Sequence, residues 1–403
     1  MNINIMIQAR RRMSLIRVAF TTGMSFLILA ILLLGLQPAT PTLAGIDSTS
    51  TNTGIFVDSG QDVGGGSSNA MAIGDLDGDY DLDAFLRDEV WFNNGLGIFS
   101  DSGQELNIPG NVIELRLGDV DGDDDLDAVF AVLGSEPNQV WLNDGHGFFT
   151  NSGQTLGSAE SWAVALGDVD DDDDLDAIFA NSDAHRVWLN NGLGIFTDSN
   201  QNLGNSGFRA VDLEDLDGDD DLDAFFADCT IWLNNGSGVY TLKSQSLCPN
   251  DNVTQALGDM DGDDDIDAFI GNATKNPNLV WLNDGAANFS DSGQSLGNSS
   301  TEQIALGDVD GDGDLDAFVG NTNELGSNPA DKVWTNNGTG VFVDSGQSLG
   351  AYNTSGAAFG DVDGDHDLDV LAGVEGGSPN RLLLNDGTTY LIYSPLILNN
   401  IGS

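Results

Sequence analysis

Asp119-Val-Asp-Gly-Asp-Asp-Asp-Leu-Asp127 is a nine-residue stretch that this chain writes seven times. The copies begin at Asp75, Asp119, Asp168, Asp215, Asp259, Asp308 and Asp361 and end at Asp83, Asp127, Asp176, Asp223, Asp267, Asp316 and Asp369. Inside them stand Asp77, Asp79 and Asp81; Asp121, Asp123 and Asp125; Asp170, Asp172 and Asp174; Asp217, Asp219 and Asp221; Asp261, Asp263 and Asp265; Asp310, Asp312 and Asp314; and Asp363, Asp365 and Asp367. Every odd position is therefore aspartate, while positions two and eight are apolar.

That spacing has a physical purpose. Carboxylates at one, three and five of a tight loop converge on one point, position seven can add its backbone carbonyl, and the carboxylate at nine closes the shell. Calcium accepts about six to eight oxygens in irregular geometry, whereas softer metals prefer nitrogen or sulfur, so the pattern predicts about seven calcium sites. Glycine at position four suits a left-handed turn, and the third copy carries Asp171 there instead. Two carboxylates ~5 Å apart repel by roughly 3 kcal/mol at an effective dielectric of ~20, so these loops are expected to close only around a cation. A solvated acidic face is the plain alternative, but it gives no reason for apolar residues at fixed positions.

The chain opens with Arg10, Arg11, Arg12 and Arg17, then an apolar run from Met24 to Leu36, then Thr42-Leu-Ala44. This is the pattern of a secretory signal cut after Ala44, with a retained anchor over Val18 to Leu36 as the alternative. Residues 1–44 are thus assigned as the signal and 45–53 as a linker, and the product is expected to be secreted or held at the cell surface. All 65 acidic residues follow Ala44 but only eight of the 12 basic ones do, so the remainder carries a formal charge near −57. Such a surface excludes nucleic acid and anionic membrane as partners, and no membrane span is expected after the signal. Cys229 and Cys248 are the only cysteines, and in an exported chain they are expected to form one disulfide, with free thiols as the alternative.

From first aspartate to first aspartate the copies are 44, 49, 47, 44, 49 and 53 residues apart. Each unit has a short apolar segment, the acidic loop, Leu-Asp-Ala-Phe or a variant, a Trp-Leu-Asn-Asn-Gly hairpin such as Trp188 to Gly192, and an aromatic beyond the turn such as Phe196. Nothing in the unit has helical period. Four short antiparallel strands repeated seven times predict an all-β, seven-bladed propeller. Gly54-Ile-Phe-Val-Asp-Ser-Gly-Gln61 copies the fourth-strand segment of other units yet precedes the first loop, and the last unit lacks that segment. Residues 54–61 are therefore expected to complete the last blade, with Tyr390-Leu-Ile-Tyr393 as the rival. The recurring Trp is assigned to blade packing rather than to a sugar platform.

The loop Asp-x-Asp-Gly-Asp-x-Asp-Leu-Asp, the Asn-Asn-Gly-x-Gly-x-Phe hairpin and the period together resemble the FG-GAP or VCBS-type repeat, similar to the blades of the integrin α-subunit head. The resemblance covers residues 54–392 and leaves 393–403 as a tail. It implies calcium ligands at Asp75, Asp77, Asp79 and Asp83, with Asp81 giving its carbonyl, and likewise in the later loops. It also implies that the loops join first and second strands on one face while the opposite face carries recognition. Departures are Asp171, Glu214 in place of the glycine before the fourth loop, Lys243-Ser-Gln-Ser in place of Asp-Ser-Gly-Gln, and Leu383 in place of the last Trp.

A propeller hosts many activities, so the fold names none. The leading expectation is a monomeric, non-catalytic adhesion or recognition module for an extracellular glycan or protein, using variable segments near Glu160-Ser-Trp162, Phe208-Arg209 and Tyr352 and the insertions at 134–138, 271–278 and 320–332. The alternatives are a polysaccharide lyase or hydrolase on the same fold, and a structural surface protein. His146, His185 and His366 lie in different units and no catalytic motif appears. Arg116 and Asp212 replace the alanine that other units place before the loop glycine, and they are expected near the central channel, as an ion pair or a polar site.

Overall fold

The computed structural model describes residues 54–65, 69–158, 160–204, 210–245, 247, 252–272, 274–322 and 329–385. The assigned signal, the linker, the C-terminal tail, Tyr390 to Tyr393, Phe208 and Arg209 lie outside the described residues. Among those described, the strands form seven four-stranded antiparallel sheets. Within six of them strand order follows chain order, each sheet containing one acidic loop between its first and second strands. First strands touch the first strands of both neighbouring sheets all the way round, including Met71–Gly74 against Thr354–Gly360, so the ring is closed. This is a seven-bladed propeller.

Closure takes the form read from the sequence. Phe56–Val63 is the outer strand of the last blade, pairing antiparallel with Asn380–Asn385, and Phe56 faces Asn385 in the register. Phe56 is buried in a cluster with Val370 and Leu383 of that blade and Val309 and Phe318 of the sixth. The two ends of the repeat array are thereby held in one sheet.

The second strands are near-continuous apolar runs buried on both faces, as in Asp176–Asn181, where every residue is buried. Consequently there is no single core. Seven clusters lie between successive blades, each drawing residues from two of them; Phe85 and Val90 of the first blade, for example, pack with Leu115, Phe130 and Phe149 of the second. A blade alone cannot bury its apolar surface, so stability belongs to the ring.

The hairpin aromatic has a different partner from the Trp of its own unit. Phe149 meets Phe85 of the preceding blade edge-on at 4.8 Å, and Phe342 meets Phe269 at 5.2 Å and 87°. The Trp side chains stand half-buried at the margins of the clusters. Cys229 is buried and disulfide-bonded, while Cys248 lies outside the described residues.

One departure from the repeat is matched by a second one. The glycine before each loop lies against the position-eight leucine of the next blade: a Cβ on Gly74 would stand 2.6 Å from Leu126 Cδ1, and one on Gly167 2.6 Å from Leu222 Cδ1. Glu214 replaces that glycine in the fourth blade, and the facing position eight of the fifth loop is Ile266, the one isoleucine among seven such positions. The two departures thus fall at matching places of one junction, where the other blades bring a glycine and a leucine together.

Candidate metal centre

Each acidic loop is built by its own aspartates before any cation is considered. In the first blade Asp75 Oδ1 accepts the Gly78 N–H at 2.8 Å and its Oδ2 the Tyr80 N–H at 3.1 Å, while Asp79 Oδ1 accepts the Asp81 N–H at 3.0 Å. These short side-chain bonds hold the turn. Gly78 at position four has φ 81°, and Asp171 takes the same conformation at φ 64°. Position six is left-handed as well, at Tyr80, Asp124, Asp173, Asp220, Asp264, Gly313 and His366. Sequence reasoning missed this second left-handed site because residues as bulky as tyrosine occupy it.

The aspartate at position nine is wholly buried and serves two elements. Asp83 Oδ2 accepts the Leu76 N–H at 3.0 Å from the loop entrance, and Oδ1 accepts the Asn93 N–H at 2.8 Å from the hairpin. The same pair of bonds recurs in every blade, as at Asp316 with Val309 and Asn336. Burial pushes these carboxyls up to about 7, with the two N–H donors pulling the other way.

Position three is where the loop is incomplete. One carboxylate oxygen of Asp77, Asp121, Asp170, Asp217 and Asp261 is buried without any hydrogen-bond partner among the described residues. Burial first, and the neighbouring aspartate at position five second, push the carboxyls of Asp121, Asp170, Asp217 and Asp261 above the usual carboxylate range. Oxygens of positions one, three and nine lie within 4.8 Å of one another in the first four loops, and those of Asp259, Asp261 and Asp263 do so in the fifth. A buried, unpartnered anion is costly, and an oxygen-only donor set fits a hard cation such as calcium. Position seven points elsewhere. Both Asp81 carboxylate oxygens would lie 2.6 Å from a Cβ on Gly95, so this side chain packs against the hairpin turn, and in six blades the hairpin glycine has the same neighbour.

Two side-chain ladders then bind loop to loop around the ring. The hairpin asparagine donates from Nδ2 to the position-two carbonyl of the preceding blade's loop, as Asn143 does to Leu76 at 2.9 Å and Asn93 to Val362 at 2.7 Å. All seven blades do this. The glutamine of Asp-Ser-Gly-Gln clamps the next blade's hairpin: Gln104 Nε2 donates to Phe149 O at 2.9 Å and its Oε1 accepts the Phe149 N–H at 3.2 Å. In the fourth unit Gln245 performs this task from the same place, five residues after Tyr240 as Gln104 is after Phe99, bonding Phe289. Leu242 pairs with Trp232 as Asp101 does with Trp91, so the departure from Asp-Ser-Gly-Gln is Leu242-Lys243-Ser244 ahead of an unchanged glutamine, one residue earlier than alignment of the repeats placed it. The sixth blade's clamp reaches the N-terminal strand that completes the seventh blade, Gln347 Oε1 accepting the Phe56 N–H at 2.9 Å and Nε2 donating to Gly54 O.

The residues considered for catalysis do not assemble a reacting group. His185 is buried, stacked on Phe226 at 4.2 Å, with Nδ1 accepting the Asn181 N–H at 3.0 Å, and burial lowers it to about 4. His366 is exposed beside Asp361. Arg116 pairs with Glu114 of its own strand, and Asp212 sits within electrostatic reach of both. The ion pair of Arg116 is thus made with a residue two places earlier on its own strand, and not with Asp212 on the first strand of the fourth blade.

The model of the FG-GAP-like repeat matches residues 119–179, 259–319 and 321–372. No curated protein sequence matches the chain. Among solved structures, BBS1N in complex with ARL6DN is 10% identical, with 82% of this chain and 98% of that chain covered and a TM-score of 0.56. An inactive virginiamycin B lyase from Staphylococcus aureus with quinupristin is 14% identical, covering 82% and 98%, TM-score 0.51. A protein from Lactobacillus plantarum is 13% identical, covering 81% and 91%, also at 0.51. At these identities the likeness is one of fold.

Proposed function

Because the chain carries FG-GAP-like repeats closed into a seven-bladed propeller, we propose that it is an exported, calcium-binding recognition module without catalytic activity, presenting a ring-shaped surface to a glycan or protein. The observation that carries the metal reading is the buried position-three oxygen left without a partner in five loops. Aspartates at positions one, three, five and nine would hold the ion, with the carbonyl of position seven. Bound calcium supplies charge neutralisation, which the repelling carboxylates of each turn require. Because positions two and nine of each loop are also the anchor points of the hairpin asparagines, a neutralised loop holds its own blade and the next one together.

Export rests on the N-terminal pattern of arginines, apolar run and small residues. Among the described residues no helix is long and apolar enough to cross a membrane. Recognition rests on the connections between blades, whose sequences vary while loops and hairpins repeat. Melting the full chain in calcium and in chelator tests the metal: stabilisation by several degrees or more in calcium is expected, since an ion that binds only the folded ring stabilises it. Identical curves would overturn it. Capture of glycans or cell-surface proteins in calcium, lost in chelator, tests the recognition role.

A further inference from the structure

Between the second and third blades lies a cavity of about 220 Å³, lined by Trp188, Arg186, Asp183 and Asp198 of the third blade, Asn138 of the second, and Leu156 of the connection between them. Its wall includes a Trp whose indole N–H is not bonded in the way seen in the first two blades. Trp91 donates its indole N–H to Glu89 Oε2 and Trp141 to Gln139 Oε1, each at 3.0 Å, the acceptor standing two residues earlier. In the third blade that place is Arg186, which has no acceptor, and its guanidinium is turned instead to Gln201 O at 3.2 Å. The Trp188 N–H is therefore not consumed by the device that satisfies Trp91 and Trp141, and Trp232 and Trp281 lack that device too, their indole nitrogens having no hydrogen-bond partner among the described residues. Gly157 keeps the connection close to the ring, its would-be Cβ 3.6 Å from Trp188 Cζ2.

The polar lining is preorganised. Asn138 Oδ1 accepts the Val132 N–H at 2.9 Å and its Nδ2 donates to Ser161 Oγ at 2.8 Å. Asp183 Oδ1 accepts the Ala184 N–H and Asp198 Oδ1 the Asn200 N–H, each at 2.7 Å. One oxygen of each carboxylate is thus held by backbone, and the other accepts no hydrogen bond among the described residues. Donors from Arg186 and Trp188 and acceptors from Asp183 and Asp198 share the cavity wall with the indole ring and an apolar leucine.

We propose that this cavity binds a single sugar ring, a neutral pyranose at the end of a glycan. The inference rests on the recognition reading above and gives it a site and a ligand class. Sugar hydroxyls both donate and accept, which suits a lining that offers both, and the C–H face of the ring packs on indole. A carboxylate ligand would meet two aspartates, and a cation would meet Arg186. The volume is below the ~300–1,000 Å³ of pockets for drug-sized ligands and equals the space of about seven waters, which fits one ring.

The test is calorimetric or saturation-transfer titration of the full chain in calcium with methyl glycosides of glucose, galactose, mannose and N-acetylglucosamine, alongside methyl glucuronide and glucosamine. At least one neutral glycoside is expected to bind with Kd on the order of 1 mM, as single-ring ligands do. Asp183→Asn and Asp198→Asn preserve the Oδ1 bonds, so each is expected to weaken binding about tenfold with an unchanged melting temperature. Trp188→Ala is expected to abolish it. Failure of every neutral glycoside, or a preference for the glucuronide or the amine, overturns the proposal. Binding untouched by both aspartate variants also overturns the site, while leaving the recognition role in place and moving its surface elsewhere.

Discussion

Asp261→Asn separates the cost of a carboxylate in an empty turn from its value around an ion. Asp261 has one buried oxygen without a partner, and its oxygens lie within 4.8 Å of those of Asp259 and Asp263. At 4.8 Å and an effective dielectric near ~20 each unscreened repulsion is about 3.5 kcal/mol, and solvent screening of these loop carboxylates leaves about 2 kcal/mol for the two together. In chelator the variant is therefore expected to be the more stable protein by about that amount. In calcium the wild type gains about 2.7 kcal/mol at a hundredfold excess over Kd, whereas a site weakened a hundredfold gains only about 0.4. The calcium-dependent increment should thus fall by roughly 2 kcal/mol, and the variant's advantage with it. Urea melts in chelator and in calcium measure both increments. Asp265→Asn is the control, because its carboxylate lies against Gly285 and its calcium increment should persist. An equal increment in wild type and Asp261→Asn, or a variant less stable in chelator, would refute the ligand assignment.

The remaining predictions concern the ring, its packing and pH. Gln347→Ala leaves Phe56 N–H and Gly54 O without their clamp, at an expected loss of about 2–4 kcal/mol in urea melts, with faster amide exchange across Phe56–Val63; unchanged exchange in that strand would contradict closure by the clamp. Ile266→Leu should cost about 1–3 kcal/mol beside Glu214 and nothing in Glu214→Gly, because the two fall at matching places of one junction; additive effects in the double-mutant cycle would dismiss the coupling. His185 is lowered to about 4 from an ordinary 6.5. Its neutral form is favoured by folding, so the stability it contributes is intact above pH 6.5 and lost as pH falls towards 4, by up to about 3 kcal/mol. The stability difference between wild type and His185→Gln should shrink by that amount over the same range, and a difference independent of pH would show that the imidazole does not charge on unfolding.

How much was legible in the sequence depended on how local the cause was. The acidic loop, the Asn-Gly hairpin and the strand alternation are each set within about ten residues, so the repeat, the propeller and the position of every loop could be read directly. Closure by residues 54–61 was legible because the displaced segment copies a recurring one. The clamp glutamines escaped notice because their partners lie 36 to 48 residues away in the next unit, and 291 and 293 away for Gln347, and their motif, Asp-Ser-Gly-Gln, looks locally like a turn. Position nine was read as a ligand alone, since nothing nearby indicates that its two oxygens also receive the N–H groups of loop and hairpin.

The amino-acid order by itself determined the number of blades, the place of the acidic turns and the donor chemistry they offer, because turn geometry and carboxylate spacing act over a few bonds. Only the assembled ring decided which Trp lines a cavity, that the glycine before each loop lies against the leucine of the next blade, and which aspartate oxygen at position three is left without a donor. Those outcomes depend on burial between blades, and burial is a property of neighbours that the chain brings together from far apart.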